Sequence, residues 1–355
     1  MVPAGMPART ETLAEDRTRG SDYAELSRTI QQAGLLQRRY GYYIVKGALQ
    51  ITAFAAVWVG FVFLGSSWWQ LVTAALLAVL YTHLAFIGHD AGHKQIFRGR
   101  KANDIVGHVH GGLTGLSYGW WINKHNKHHA NPNHEDDDPD LDIPALAFTV
   151  EQGGAKQGFL RWMAKYQAFL FFPLLLLEGL NLHVASIQEV WFGEVKSRRL
   201  EKILLSVHVV AYLAAVFIVL PPLMGLAFIA VHQCLWGVYM GCSFAPNHKG
   251  MPNPDRNNPW DFLRKQVLTS RNVTGNPAID FAFGGLNYQI EHHLFPNMPR
   301  PNLRKAQPIV RGFCIDNNVS YSQCGMWRSY GYVLEHLHAV GAPLRGRKTS
   351  AALVN

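Results

Sequence analysis

Cysteine is scarce: the four in 355 residues, Cys234, Cys242, Cys314 and Cys324, form no C-x-x-C pair and no zinc-finger spacing. That excludes a disulfide framework and a thiolate metal site, and fits a reducing setting. Charge is also sparse at 16% of residues, and the net charge of +9 comes from lysines and arginines set beside apolar runs. A nucleic-acid-binding stripe, with basic residues interleaved with exposed aromatics, is therefore not expected. The first forty residues carry both signs of charge, unlike the short basic and apolar segments of a secretory leader. No internal repeat and no low-complexity tract is present.

What is abundant is apolar sequence gathered into a few long runs. A bilayer core about 30 Å thick needs roughly 20 helical residues, and four segments qualify, at about 47–65, 68–88, 203–220 and 223–242. Ser66-Ser67 separates the first two and Pro221-Pro222 the last two, which predicts two helical hairpins. The basic groups Arg38-Arg39, Lys94 to Lys101, Lys196 to Lys202 and Arg264-Lys265 then fall on one side, and neither short turn carries Lys or Arg. By the positive-inside rule both termini are expected in the cytosol. A fifth apolar stretch, Tyr166 to Leu182, is interrupted by Pro173 and is expected to lie in the interface.

The expected organisation is a polar N-terminal arm over 1–40, with a helix from Tyr23 to Gln37, a membrane domain over 41–342, and a loose tail over 343–355. The fold class is all-α integral membrane, with interfacial helices and a cytosolic cap.

Seventeen histidines are many for this length, and eight are patterned. HDAGH holds His89 and His93, HNKHH holds His125, His128 and His129, and QIEHH holds Gln289, His292 and His293. On a helix, i, i+3 and i+4 positions share a face, so each cluster can aim imidazoles at one place. His248 lies just beyond the expected end of the fourth span. All fall on the same side of the membrane. Eight imidazoles exceed the roughly six positions of one octahedral ion, so two metals are the economical reading, and imidazole alone does not choose among zinc, copper, nickel and iron.

The stretches HDAGHKQIF, WWINKHNKHHANPN, DDDPDLDI and GGLNYQIEHHLFPNMPR, with the order of the boxes, resemble the membrane fatty acid desaturases, and in particular the front-end group. The resemblance covers about Tyr40 to Asn318. It implies a di-iron centre with ligands at His89, His93, His125, His128, His129, His292 and His293, and His248 of NHKG as an eighth. Position 289 is Gln where many desaturases have His, and Asn247 directly precedes His248. Asp90, Glu291, Asn247, Gln289 and the acidic run Glu135 to Asp142 are expected to support these ligands or hold water beside them.

The resemblance further implies oxygen-dependent desaturation of a fatty acyl chain carried by coenzyme A or a lipid, with two irons as cofactor and O2 as co-substrate. The chain shows no H-P-G-G haem signature, no Rossmann glycine pattern and no iron–sulfur cysteine set, so a separate ferredoxin, cytochrome or flavoprotein reductase is implied. Lys94, Arg98, Lys124 and Arg300 are expected at the surface where a phosphate could be met.

His83, His208 and His232, within the spans, are read as structural. So are His108, His110, His134, His183, His336 and His338. Trp120-Trp121 is read as an interfacial anchor. The nearest alternative is a related di-iron fatty acid or sphingolipid hydroxylase. A histidine-rich metal transporter or receptor would instead place its ligands near the midplane on broken helices.

Overall fold

A computed structural model describes residues 21–346. It is helical almost throughout, in the order α1 (Asp22–Gln32), α2 (Tyr40–Leu64), α3 (Gln70–Gly92), α4 (Arg100–Thr114), α5 (Tyr118–Ala130), α6 (Val150–Ala155), α7 (Gly158–Leu175) and α8 (Glu178–Phe192). There follow α9 (Arg198–Val219), α10 (Pro222–His248), α11 (Phe262–Leu268), α12 (Pro277–Ala282), α13 (Gln289–Leu294), α14 (Arg300–Asp316) and α15 (Met326–Val340). Two-residue strands β1 (Asn272–Val273) and β2 (Gln323–Cys324) pair in parallel.

Among the described residues, four helices are long and apolar enough to cross a membrane, α2, α3, α9 and α10. Their turns are built as the sequence requires. Gly65 ends α2 with φ 60, a left-handed value that glycine adopts without strain. Gln70, fully buried, donates to the carbonyls of Phe61 (2.7 Å) and Gly65 (2.9 Å), so the end of α2 keeps its hydrogen bonds in an apolar setting. In the second hairpin Pro221 and Pro222 stand where α10 starts, a position at which no amide is needed.

The helices run further than the apolar stretches alone suggested. Helix α3 continues through His89 to Gly92, and α10 continues to His248, which is its last residue and not a position beyond it. Pro246 lies inside α10 and cannot donate to the Cys242 carbonyl; the Tyr330 hydroxyl does so instead, at 2.7 Å. The expected N-terminal helix runs from Asp22 to Gln32, shorter than the Tyr23 to Gln37 reading, because Gly34 takes φ +69 just after it. Residues 1–20 of the expected arm and 347–355 of the expected tail lie outside the described residues.

Packing divides the spans. Half of the most apolar window of α3 is buried inside the protein, against 6% for α2, so α3 is the central helix and α2 an outer one. Phe61, Leu77, Tyr81, Phe228 and Trp236 form the core between them. Helices α7 and α8 meet at a bend of 82°, just after Pro173. A second core, from Leu26 and Ile30 of α1 through Ile290, Leu294 and Leu303, fixes α13 and α14 over the ends of the spans.

Candidate metal centre

Three separate pieces of chain bring the histidine boxes together. The first box is the final turn of α3, where His89 lies within the helix and His93 caps it. Asp90 pairs with Arg300 at 2.6 Å, and Arg300 also donates to the Phe86 carbonyl at 2.5 Å, which locks the end of α3 to the start of α14. The glycine of HDAGH is dictated by closeness: a Cβ on Gly92 would lie 2.3 Å from the Trp121 ring.

The second box is carried by α5, whose N-terminus is held from the third span. The Ser117 side chain accepts from Trp120 N at 3.0 Å, while the Glu201 carboxylate of α9 accepts from Gly119 N at 2.8 Å and from the Ser117 hydroxyl. The third box is the short helix α13. Asn272 Oδ1 accepts from Ile290 N at 2.9 Å, so β1 sets its position.

The resulting imidazoles form two groups. His89, His93, His125 and His292 offer ring nitrogens within 4.8 Å of one another, and so do His128, His248 and His293. His129 joins the first group: its Nε2 lies 3.1 Å from Nε2 of His125 and 3.1 Å from Nε2 of His292. Two nitrogens bound to one ion at about 2.1 Å and at right angles would lie about 3 Å apart. All eight histidines are thus in one chamber.

In the second group the other ring nitrogen is tied down in every case. His128 Nδ1 lies 3.0 Å from both oxygens of Asp138, His248 Nδ1 lies 3.0 Å from the Thr269 carbonyl, and His293 Nδ1 lies 2.9 Å from Gln266 Oε1. With the proton held on Nδ1, each Nε2 is left as a lone pair, that of His248 meeting the Gln289 amide. In the first group, both ring nitrogens of His89, Nε2 of His93 and Nδ1 of His129 and His292 are buried without partners. Each such atom costs about 1–3 kcal/mol unless something binds it. The donor set therefore fits metal ions.

Electrostatics agree. Burial, then the neighbouring imidazoles, lower the pKa of His93, His125, His129, His292 and His293, so these rings are neutral and able to ligate. Burial also works against a charged His128, but Asp138 and Asp140 outweigh it and raise this group. Burial would raise Asp138, yet its pairing with His128 holds the carboxyl below its ordinary value.

Of the supporting residues expected from sequence, Asp138 in the acidic run meets an imidazole directly, and Asp90 lies 3.5 Å from His89 Nδ1. Gln289 Nε2 is 2.8 Å from His248 Nε2, and Asn247 donates to Gln289 Oε1 at 3.3 Å and to the Leu286 carbonyl at 3.0 Å. Glu291 is turned elsewhere: its oxygens accept from Asn272 and Tyr321, both at 2.7 Å, and burial pushes its pKa up to about 7. Its hold on the box runs through Asn272.

Trp121 stacks on His125, with centroids 4.5 Å apart, and so packs in the chamber. Lys124 pairs with Asp140 at 2.8 Å and Arg300 with Asp90, so neither is a free phosphate contact. Gln266 and the Thr269 carbonyl were not foreseen, since nothing local marks a residue that reaches a distant box. Among the span histidines, His208 meets the Gly112 carbonyl at 3.0 Å and His232 the Tyr212 hydroxyl at 2.8 Å, both helix-to-helix bonds.

A narrow cavity of about 50 Å³ leads to this chamber between α3, α4 and α10. Ala85, Phe86, Leu116, Met240 and Phe244 make it apolar, and His89 and Trp121 stand on its wall. Gly107 also lines it; a Cβ there would lie 2.1 Å from the Tyr118 ring, which crosses at that point.

A family model described as fatty acid desaturase matches residues 66–325. The chain is 31% identical to the acyl-lipid (9-3)-desaturase of Physcomitrium patens over 90% of its own length and 62% of that relative. It is 30% identical to the Delta(6)-fatty-acid desaturase of Caenorhabditis elegans, over 95% of this chain and 78% of that one. It is also 30% identical to the Delta 8-(E)-sphingolipid desaturase of Emericella nidulans, over 84% and 58% of the two chains.

Proposed function

The chain belongs to the fatty acid desaturase family, and from that premise we propose that it is a membrane enzyme that desaturates a fatty acyl chain with a di-iron centre and O2. The observation that carries this reading is the paired arrangement of imidazoles, three with Nδ1 held by an acceptor and all eight in one chamber. His89, His93, His125, His129 and His292 would hold one iron, and His128, His248 and His293 the other, with Gln289 beside His248. When bound and reduced, the pair supplies an oxidant strong enough to take hydrogen from adjacent unactivated methylenes.

The protein's own part is position and dryness. The apolar cavity beside His89 orients a methylene chain against the first group and excludes water, and Phe86, Met240 and Phe244 give no hydrogen bonds to a competing polar ligand. The acyl carrier is coenzyme A or a lipid. Electrons come from a separate ferredoxin, cytochrome or flavoprotein reductase. The basic residues gathered at the histidine end of the spans support a cytosolic centre with both termini on the same side. The alternative of a hydroxylase differs only in returning oxygen to the substrate.

Lipid profiling of a host expressing the protein with a reductase is the direct test: a new double bond is expected, and a hydroxylated chain with no unsaturated product would overturn the reading. Elemental analysis of purified protein should give two irons per chain; one zinc and no iron, in protein made with iron present, would count against it. Reporters inserted after Gly65 and after Pro222 should be reached from outside the cell, and a label on His129→Cys only from the cytosol.

A further inference from the structure

A second cavity has no role in this chemistry. On the outer side of the first hairpin, a groove of about 660 Å³ runs between α2 and α3 and opens to the surface. Its wall is apolar along Leu49, Ala53, Val79 and Leu80, as expected of lipid-facing helices. Three polar side chains interrupt it: Lys46, Gln50 and His83.

Each of the three lacks a partner it should have. Gln50 is 8% exposed and His83 3% exposed, yet Gln50 Oε1 and His83 Nδ1 have no hydrogen bond. Among the described residues no carboxylate lies within ion-pair distance of Lys46, whose Nζ lies 5.9 Å from the Tyr42 and Phe281 ring centroids. Buried polar atoms in a span are normally bonded to a neighbouring helix, as His208 and His232 are.

The chemistry of the three groups selects the ligand. His83 Nε2 lies 3.3 Å from the Tyr239 hydroxyl; with Tyr239 donating, the ring proton sits on Nδ1, an unbonded donor on a side chain that lines the groove. Gln50 Oε1, left unbonded, exchanges places with Nε2 on a half-turn of the amide, which then offers a second donor, and Lys46, one helical turn nearer the histidine end of the spans, offers a cation. The ligand must therefore present an anion, then acceptors about one turn deeper, then a hydrocarbon chain. We propose that the groove binds one diacyl phospholipid of the bilayer, with its phosphate at Lys46, its ester carbonyls at Gln50 and His83, and one chain along Leu49, Ala53, Val79 and Leu80. This lipid is a resident of the outer face, separate from the chain oxidised at the metals.

The test needs no turnover, so it fails or succeeds independently of the desaturase reading. Full-length protein in detergent is mixed with less than one equivalent of phosphatidylglycerol carrying a diazirine in one acyl chain, irradiated, and mapped by peptide mass spectrometry. Label is expected on the peptides holding Leu49, Ala53, Val79 and Leu80, and unlabelled phosphatidylglycerol should compete it away. Lys46→Ala should reduce it about tenfold, the loss expected for one charge-assisted contact, while Lys46→Arg should restore it. Gln50→Leu should lower it further in the Lys46→Ala background, in protein whose helix content matches the parent. Label spread evenly over the four spans, or unchanged in Lys46→Ala, would overturn the site, and so would competition by a fatty acyl-CoA as effective as that by phosphatidylglycerol.

Discussion

In the group of His128, His248 and His293 each imidazole is steered by an acceptor from another part of the chain, Asp138, Thr269 and Gln266 respectively. The group of His89, His93, His125, His129 and His292 is steered mainly by the packing of rings on one another and on Trp121, with the Asp90–Arg300 pair behind His89. Fixing the second nitrogen fixes both tautomer and ring direction, so the group of His128, His248 and His293 is preorganised more rigidly than the other. The looser group is also the one on the wall of the apolar cavity. Rigidity lies away from the cavity, and adaptability lies beside it.

The largest expected effect ignores this difference. Removing any one imidazole, as in His128→Ala or His292→Ala, should reduce unsaturated product to background in cells with matched protein levels, because adjacent helical positions point about 100° apart and a neighbour cannot substitute. Membrane insertion should persist. Full activity in His292→Ala would sink the shared-centre reading.

The next effects separate the groups. Asp138→Asn keeps one oxygen, for either the Asn133 or the Asp140 amide but not both, and removes the charge facing His128, and it should weaken metal retention by roughly 10–100-fold. Measured by chelator competition, the loss should be confined to one of two metals; loss of both in step would erase the distinction drawn above. Gln266→Leu, which frees His293 Nδ1, should cost about tenfold on that same metal, and Gln266→Glu, which keeps the acceptor but loses the donor to the His129 carbonyl, should restore it only in part.

The smallest effect is expected at Gln289. Its amide meets His248 without being an imidazole, so Gln289→Ala should lower turnover a few-fold in product assays, and Gln289→His should retain activity. Abolition by Gln289→Ala would make it an obligatory ligand and move it into the class of His292.

The apolar runs and the box spacing were enough to read four spans, two hairpins and the eight converging histidines from sequence, because both signals are local and periodic. Lengths were read short at one end, since α3 and α10 continue as polar, histidine-bearing turns that hydropathy does not count. The supports were mostly illegible. Gln266 reaches His293 across 27 residues and Glu201 reaches Gly119 across 82, and no pattern in either segment signals the other. Glu291 misled for the converse reason: it adjoins two box histidines in sequence but its carboxylate bonds Asn272 and Tyr321.

The overshoot of α10 fixes an altitude. Its 27 residues span about 40 Å at 1.5 Å each, against a hydrocarbon layer of about 30 Å, so Asn247 and His248 ride up to about 10 Å above the oily slab. Under the proposed function, a carbon reaching that height would be lifted out of the membrane, and each methylene left wet on the way would cost about 0.8 kcal/mol. The dry shaft beside His89 removes that toll. A thicker bilayer shortens that overhang and a thinner one lengthens it.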